Sequence, residues 1–355
     1  MAVGLNFLSL NVGMSATLAG LTSLITVHRL DIIFLQEVRL SGEQLNFFVG
    51  SLGFQAEVNI DTDHPTWPGT ALVWKKSLPV SDVFTLVVCR AQVALLGPYM
   101  LLNIYAPSGS DKKYERAKLI GQDIFRVLSL HSGAYWILGG DWNCVLKTLD
   151  IEGGTGFSQK VCPALRDLVR SYNLCDVFRH EFPRKEEFTF FRAGKAPSRL
   201  DRFYLSRSLV EGLSGTQHVA SLSDHCGVQM SLWLTVELVS LPRNLRRTYW
   251  KLNTSILNDE EFLPSFIALW SEISKAKIQF VDCAEWWDKW AKPEIKDFCI
   301  GFSIHRKRRR NDTKKYLLSY LKAALGRKDW DEVARVREDL DIMMLADAMG
   351  VVVRR

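Results

Sequence analysis

The chain has 355 residues, of which 47% are apolar, 24% charged and 11% aromatic. This is the composition of a folded globular protein, and it excludes a disordered, collagen-like or coiled-coil chain. The length suits one large domain with an appendage, or two domains. The net charge of +6 is unevenly placed, because residues 1–240 contain 22 basic and 22 acidic residues and residues 241–355 contain 23 and 17. The excess positive charge therefore belongs to the C-terminal third.

Seven cysteines are scattered along the chain without a C-x-x-C pair. An odd number at such spacings favours reduced thiols over a disulfide framework or a zinc site. No apolar run reaches the roughly 18 residues of a membrane span. The N-terminus also lacks the basic segment of a signal peptide. We therefore expect an intracellular protein without membrane contact.

Short apolar runs alternate with turn signals over residues 1–235. They predict strands at Leu5–Asn11, Asp31–Glu37, Thr70–Lys75, Phe84–Leu96, Tyr99–Tyr105, Tyr135–Gly139, Arg199–Ser206 and Gly227–Trp233. Amphipathic stretches predict helices at Ala16–Arg29, Ser41–Leu52, Lys113–His131 and Pro163–Tyr172. Because some strands are followed by helices and others by hairpins, the pattern favours mixed sheets layered with helices.

A domain boundary is predicted at VSLPRNLRR, residues 239–247, where Pro, Asn and three Arg interrupt the strand pattern. Helical patterns follow it at Asp259–Ser274, Cys283–Arg310 and Lys314–Met349. The predicted organisation is a domain at residues 1–238 and a basic helical connector at residues 239–355.

Polar residues follow several predicted strands, where a sheet would present them along one edge. The runs FLSLN, IIFLQE, LLNIYAP and YWILGGDWN supply Asn11, Glu37, Tyr105, Asp141 and Asn143. The later motifs SRLDRF and SLSDH supply Ser198, Asp201, Asp224 and His225. Taken singly, each residue has an ordinary alternative as a turn former, a helix cap or a packed aromatic. Their ordered occurrence over more than 200 residues favours a common site.

The chemistry of this set points to phosphate esters. Carboxylates and amides are hard oxygen ligands suited to Mg²⁺, with Mn²⁺ as the alternative. A divalent ion so held neutralises the charge that develops on a phosphodiester and stabilises the leaving oxygen. His225 stands beside a carboxylate and can transfer a proton. The expected reaction is hydrolysis by water.

In this order the motifs LNV, LQEVR, NIYAPS, GGDWN, TFFRAGKAPSRLDRF and SLSDHCGV resemble the endonuclease/exonuclease/phosphatase superfamily over about residues 4–235. The resemblance implies an α/β fold, a four-layered sandwich of two packed mixed sheets flanked by helices. YAPS, TFFR and SRLD are similar to the endonuclease domains of LINE-type non-LTR retrotransposons. The runs YWKLNTSIL, EFLPSFIALW and EWWDKWAKPEIKDFCIGFSIHRKRRR resemble the connector to the reverse transcriptase of those elements, and no Tyr/Phe-Ala-Asp-Asp polymerase motif follows.

The resemblance also implies a role for each site residue. Glu37 would be a direct metal ligand in a site completed by Asn11, Asp141, Asn143, Asp224 and His225. Asp141 would orient or deprotonate the attacking water, Asn143 would hold that water or the scissile phosphate, and Tyr105 would hydrogen-bond a phosphate oxygen. Asp201 would fix the His225 imidazole, which would contact the phosphate and assist proton transfer. Thr189 and Ser198 would lie on the DNA and phosphate side of the cleft.

One position departs from the superfamily pattern. Repair members often carry an acidic residue two places after the first Asn, whereas this chain reads Asn11-Val12-Gly13-Met14. The missing side chain predicts a weakened or altered second metal position. Because the other site residues are all present, we expect a competent enzyme.

The run HRKRRR at residues 305–310 is dense enough to contact several phosphates with release of counterions. A solvated helix face and a nuclear localisation signal are the alternatives. The nearby Trp286, Trp287 and Trp290 would stack on bases or pack inside a helical core. The neutral domain would then draw much of its nonspecific DNA affinity from this segment.

The sequence thus predicts a monomeric, nuclear, Mg²⁺-dependent endonuclease that nicks DNA and leaves a 3′-hydroxyl, without the reverse-transcriptase domain of its relatives. One alternative is an exonuclease III-like apurinic endonuclease of DNA repair. Another is a noncatalytic remnant that only binds nucleic acid. Small-substrate phosphatases of the superfamily fit the basic segment and the TFFR and SRLD motifs less well.

Overall fold

The computed structural model describes residues 2–13, 18–154, 156–236 and 252–352. Of these, residues 2–236 and 318–352 form one compact unit, and residues 252–317 form a second. The boundary predicted at residues 238 and 239 lies outside the described residues. The connector predicted at residues 239–355 is divided between the two units, since its last helix belongs to the first.

Two mixed six-stranded sheets form the centre of the first unit. The first sheet contains β1 (Ala2–Asn11), β2 (Ile32–Val38), β3 (Phe54–Asn59), β4 (Gly69–Lys75), β11 (Leu213–Val219) and β12 (Gly227–Thr235), in the order β11-β12-β1-β2-β4-β3. The second contains β5 (Val80–Val87), β6 (Ala91–Leu96), β7 (Tyr99–Tyr105), β8 (Tyr135–Asp141), β9 (Leu174–Asp176) and β10 (Asp201–Ser206), in the order β5-β6-β7-β8-β10-β9. Among these strands the parallel pairs are β1 with β2 and β7 with β8.

Helices make up most of the remaining described residues, and several of those before residue 236 pack on the sheets. Those before residue 236 are α1 (Leu18–Val27), α2 (Gly42–Gly50), α3 (Lys113–Lys118), α4 (Phe125–Leu130), α5 (Phe157–Lys160), α6 (Pro163–Ser171) and α7 (Val177–Glu181), with a π-helical turn at Leu119–Ile124. Those after residue 252 are α8 (Phe262–Lys275), α9 (Cys283–Trp286), α10 (Lys292–Arg327) and α11 (Trp330–Val352). No helix in the described ranges has both the length and the apolarity needed to cross a membrane.

An apolar core lies between the two sheets. Phe34 of the first sheet packs on Phe203 of the second with ring centroids 5.5 Å apart. Gly139 makes this contact possible, because a Cβ at that position would lie 2.3 Å from Phe34 and 2.4 Å from Phe203. A second cluster fills the space between the second sheet and the helices at residues 113–130 and 163–171. Two sheets with helices outside them confirm the predicted sandwich.

A polar bridge crosses the core between the sheets. Gln36 Nε2 on β2 donates to Asn103 Oδ1 on β7 over 2.8 Å, and both side chains are fully buried. Asn103 Nδ2 in turn donates to the backbone carbonyls of Leu35 and Ala71 in the first sheet. Because buried hydrogen bonds are directional and costly to break, this bridge fixes how the sheets align.

The structure corrects several predicted elements. The strand predicted at Phe84–Leu96 is a hairpin of β5 and β6, which turns at Cys89 with a φ of +61°. The short strands β3, β9 and β11 were not predicted. The helix break expected after Arg310 is also wrong, because α10 continues to Arg327 and the chain turns at Lys328 with a φ of +57°.

A buried ion network anchors the start of β10. The Asp150 carboxylate contacts Arg179 at 2.5 Å, Arg199 at 2.9 Å and Arg202 at 3.4 Å, and Asp176 contacts Arg199 at 2.7 Å. Burial favours the neutral acid, but the guanidinium groups outweigh it and hold the pKa of Asp150 far below its usual range. Arg199 and Arg202 flank Asp201 in the chain, so the network places that residue.

We predict that Asp150→Asn lowers the free energy of unfolding by about 3–5 kcal/mol, because it leaves buried guanidinium groups without their counterion. The Asp150 pKa is lower in the folded than in the unfolded chain, so its contribution is complete above about pH 5 and is lost as the pH falls. Urea unfolding between pH 7 and pH 3.5 measures both effects. The variant should show a shallower acid dependence than the parent.

Glu115→Gln is the matched control, since its partner Lys112 forms an exposed pair. Exposed pairs contribute about 0–1 kcal/mol. Equal losses in the two variants would contradict a structural role for the Asp150 network.

Candidate active site

The polar residues predicted to share an edge do meet there. Asn11 ends β1, Tyr105 ends β7 and Asp141 ends β8, and each strand runs parallel to a neighbour with its carboxyl end at the same edge. Asp201 begins β10 rather than ending a strand, but it lies directly opposite Asp141 in the antiparallel register. The structure therefore brings residues from both sheets into one cluster.

Glu37 occupies a β-bulge at the end of β2. The register with β4 passes from Gln36 opposite Thr70 to Val38 opposite Gly69, and Glu37 has a φ of +60°. A bulge of this kind re-aims one side chain. Asn143 also has a left-handed φ, of +47°. Left-handed backbone is uncommon for non-glycine residues and gathers at functional sites.

The Asn11 amide joins two carboxylates. Its Nδ2 donates to Glu37 Oε1 over 3.1 Å and to Asp141 Oδ2 over 3.0 Å, while its Oδ1 accepts from the Gly13 backbone N–H. Tyr105 donates its hydroxyl to the same Glu37 oxygen over 3.1 Å. Burial, Glu37 and Asp141 raise the pKa of Tyr105 well above its usual value, so the phenol remains a donor.

Asp141 is surrounded by donors. Besides Asn11, it accepts from the Asn143 backbone N–H over 2.9 Å and from Asn143 Nδ2 over 3.0 Å. His225 Nε2 lies 4.0 Å from Asp141 Oδ2. Burial and the nearby Asp201 raise the pKa of Asp141. Three amide donors thus fix a buried carboxylate that faces an imidazole.

Asp201 and His225 form a buried pair. His225 Nδ1 lies 2.8 Å from Asp201 Oδ2. Burial alone would lower the pKa of His225, but Asp201 and Asp141 outweigh it and raise the pKa to about 10. The pair has the geometry that the family resemblance implies for a carboxylate that orients a histidine. It leaves Nε2 directed towards Asp141.

Thr189 and Ser198 lie behind the site and not on its surface. Both are completely buried. Thr189 Oγ1 accepts from the backbone N–H groups of Leu200 and Asp201, and Ser198 Oγ accepts from Lys160 Nζ over 2.8 Å. Thr189 thus supports the Asp201 backbone, and Ser198 links Lys160 to the Ala196 carbonyl. Their contribution to the DNA side of the cleft stays a prediction.

Asp224 is held by Arg192, a residue outside the site predicted from the sequence. Arg192 Nε and Nη2 both donate to Asp224 Oδ2, over 2.9 and 2.6 Å. Arg192 also lies over the Phe190 ring, which contacts the His225 ring. Ser223, in the same loop, donates to the Asn11 carbonyl over 2.7 Å and accepts from the His225 N–H over 2.8 Å. In the sequence, only its position in the TFFR motif indicates that Arg192 belongs near the site.

The donors present suit a divalent cation. Glu37 and Asp224 provide carboxylate oxygens, the ligand type that Mg²⁺ and Mn²⁺ prefer. Both donors to Glu37 reach Oε1, and among the described residues Oε2 receives no hydrogen bond. Ligand atoms of Asp141, Asp201 and His225 also lie within 4.8 Å of one another. Oxygen donors of this kind fit a divalent cation, and Asn11 orients two of the carboxylates through its NH₂ group.

The basic segment, in the second unit, is partly neutralised by its own neighbours. Arg306 pairs with Asp259 at 2.9 Å and Arg309 pairs with Glu261 at 2.6 Å, whereas Lys307 and Arg308 are exposed. Trp286 is buried and donates to the Ile273 carbonyl, so it packs in a core. Trp287 and Trp290 are partly exposed. Fewer basic side chains of the HRKRRR run are thus unpaired and able to contact phosphate than the sequence of the run indicates.

The chain is thus a two-sheet α/β sandwich that carries carboxylates, amides and a histidine at one edge. This combination of fold and site defines its class. The model of the Endonuclease/Exonuclease/phosphatase family matches residues 8–225, which include the cluster from Asn11 to His225. The chain belongs to this family, and its membership indicates a hydrolytic nuclease or phosphodiesterase.

Three known proteins are similar to parts of this chain. The Transposon TX1 uncharacterized 149 kDa protein of Xenopus laevis is 30% identical over 211 residues, which are 58% of this chain and 15% of that protein. The chain thus matches a small part of that relative. An AP endonuclease from Archaeoglobus fulgidus is 16% identical with a TM-score of 0.57, over 64% of this chain and 99% of that one. AP endonuclease LMAP from Leishmania major is 17% identical with a TM-score of 0.55, over 65% and 88%. At these identities the two structures support the fold.

The backbone conformation at residue 13 favours glycine. Its φ is +60°, and its N–H holds the Asn11 amide. A Cβ would meet nothing closer than 3.6 Å, so backbone conformation and not space restricts this position. We predict that Gly13→Ala lowers the free energy of unfolding by about 1–2 kcal/mol, the cost of a left-handed residue with a side chain. Gly13→Asn should cost less, because Asn tolerates this region.

Urea unfolding of both variants measures this difference. Gly42→Ala serves as the control, since Gly42 begins α2 and an added Cβ has no atom within 4 Å. It should be neutral or slightly stabilising. A Gly13→Ala variant as stable as the parent would show that the turn does not depend on glycine.

Proposed function

We propose that the chain is a Mg²⁺-dependent DNA endonuclease that nicks duplex DNA as a monomer and leaves a 3′-hydroxyl. The observation that carries the proposal is the arrangement around Asp141. Its carboxylate is fixed by Asn11 and Asn143 and faces His225 Nε2 at 4.0 Å, while Asp201 holds the other ring nitrogen at 2.8 Å. A carboxylate beside an oriented imidazole suits hydrolysis of a phosphodiester by water.

In the proposed reaction the water oxygen bonds to phosphorus, the P–O3′ bond breaks, and the departing O3′ takes up a proton. The products are a 3′-hydroxyl and a 5′-phosphate. Asp141 is placed to orient the water and accept its proton, because its amide donors prevent the carboxylate from turning. His225 presents Nε2 to the phosphate, since Nδ1 is engaged by Asp201.

Glu37 and Asp224 are the carboxylates that would hold the divalent ion beside these groups. When bound, the ion would neutralise the charge that develops on the phosphate. Tyr105 and Asn11 fix the Glu37 carboxylate through its Oε1 atom. Pre-positioned ligands lower the cost of reorganisation when charge develops.

Two features support nucleic acid as the substrate. The relative that is 30% identical is a transposon protein. Arg192 has a side chain that is 62% exposed and lies beside His225 through Phe190, where it can meet a phosphate backbone. Because the DNA target would be chromosomal, we place the activity in the nucleus.

We predict that Glu37→Gln and His225→Ala each reduce nicking of supercoiled plasmid by at least about 100-fold, since each removes a charged group from the reacting centre. Gel conversion of supercoiled to open-circular DNA, with Mg²⁺ and with EDTA, measures this effect. A DNA polymerase should extend the nicks without prior treatment if they carry 3′-hydroxyls.

Glu57→Gln and His180→Ala are the controls, because both side chains are exposed and lie outside the cluster. They should nick at the parental rate. Parental nicking by Glu37→Gln and His225→Ala together would refute the site. Salt-sensitive DNA binding without Mg²⁺-dependent cleavage would establish the noncatalytic alternative.

An abasic duplex distinguishes this function from that of a repair endonuclease. We expect single-turnover cleavage of intact and abasic oligonucleotide duplexes of the same sequence to agree within about 10-fold, a difference in activation free energy of about 1.4 kcal/mol. A preference for the abasic duplex of several hundred-fold would favour the apurinic endonuclease instead.

A further inference from the structure

The last part of the chain packs onto the nuclease fold. Residues 318–352 belong to the first unit, although they follow β12 by more than 80 residues. Helix α11 packs against α1, and Met344 and Leu318 line a cavity of about 130 Å³ that also contacts Gly13 and Glu37. Both apolar side chains are buried.

Charged contacts add to this apolar packing. Lys322 Nζ lies 2.9 Å from Glu187 Oε1 and donates to the His218 carbonyl over 3.0 Å. Lys328 pairs with Glu152. These contacts reach three separate segments of the domain, so they do not depend on a single flexible loop.

Arg337 on α11 contacts the loop that carries His225. Its Nη2 donates to the Ser223 carbonyl over 2.5 Å. Ser223 also connects two residues of the site, because its hydroxyl donates to the Asn11 carbonyl and accepts from the His225 N–H. The loop closes through Ser221, whose hydroxyl donates to the His225 carbonyl. Arg337 therefore holds Ser223, which is hydrogen-bonded to both Asn11 and His225.

We propose that Arg337 is a positioning residue of the nuclease, and that residues 318–344 are an integral part of the catalytic unit. The kinetic part of this inference rests on the proposed endonuclease function. Arg337 lies behind Ser223 and acts through it, so it touches no reacting atom. If the Ser223 carbonyl loses this donor, the loop can shift, and Asn11 and His225 move with it. A misplacement of about 1 Å can cost about 100-fold in rate.

The test compares Arg337→Met and Arg337→Lys in the full chain, with Arg335→Met as the matched control. Arg335 lies on the same helix, has a side chain that is 67% exposed and pairs with Glu332. We expect Arg337→Met to lower kcat for plasmid nicking by about 10- to 100-fold with KM changed less than about twofold. Arg337→Lys should recover part of kcat, since it restores a charged donor. Arg335→Met should match the parent.

Amide hydrogen exchange of the peptide covering residues 219–228 gives a second readout that needs no activity. We expect faster exchange there in Arg337→Met and unchanged exchange in β7. Parental exchange and parental kcat would overturn the proposal, as would a loss of kcat accompanied by a general loss of stability that Arg337→Lys does not relieve. If the parent itself does not nick DNA, the endonuclease function fails, and the exchange result alone decides whether Arg337 positions the loop.

Discussion

The candidate site depends on the alignment of two sheets, because its residues come from both. Asn11 ends a strand of the first sheet and Asp141 ends a strand of the second, so a small slide of one sheet would break their hydrogen bond. Apolar packing between the sheets is strong but nondirectional. The buried bond from Gln36 to Asn103 is directional, and it lies one residue from Glu37. This polar bridge therefore helps to fix the register between the sheets next to Glu37.

Above this bridge the backbone holds uncommon conformations. Glu37 and Asn143 both have left-handed φ values, each of which costs about 1–3 kcal/mol unless the surroundings impose it. The surroundings here are strands buried on both faces, which cannot relax without loss of the core. The bulge turns the Glu37 carboxylate towards Asn11 and Tyr105, and the Asn143 turn points two donors at Asp141. Stability from the sandwich thus offsets strain in the site, and the donors are in place before any substrate binds.

The sequence predicts some parts of this arrangement and not others, for physical reasons. Polar residues after apolar runs identify strand ends, so Asn11 and Asp141 could be placed at a common edge. The β5–β6 hairpin was missed because its turn at Cys89 uses a left-handed residue without glycine or proline. The burial of Thr189 could not be predicted, because a motif shows which residues occur together but not which side chains are buried. The ion network around Asp150 joins residues that are far apart in the chain, and no local pattern reveals it.

Local sequence patterns also fail to predict how the chain divides into its two compact units. A change of pattern after β12 marks where the strands end, but it cannot tell which later helices return to pack on the sheets. Residues 318–352 contain five basic and seven acidic residues, so they do not share the positive charge of the segment to which they were assigned. The basic run at residues 305–310 belongs to the other compact unit. Removal of everything after residue 238 would therefore delete two different things, the basic run at residues 305–310 and the helix whose Arg337 holds Ser223. Loss of activity after such a truncation would not show that the basic run binds DNA, because damage to the Ser221–His225 loop predicts the same loss.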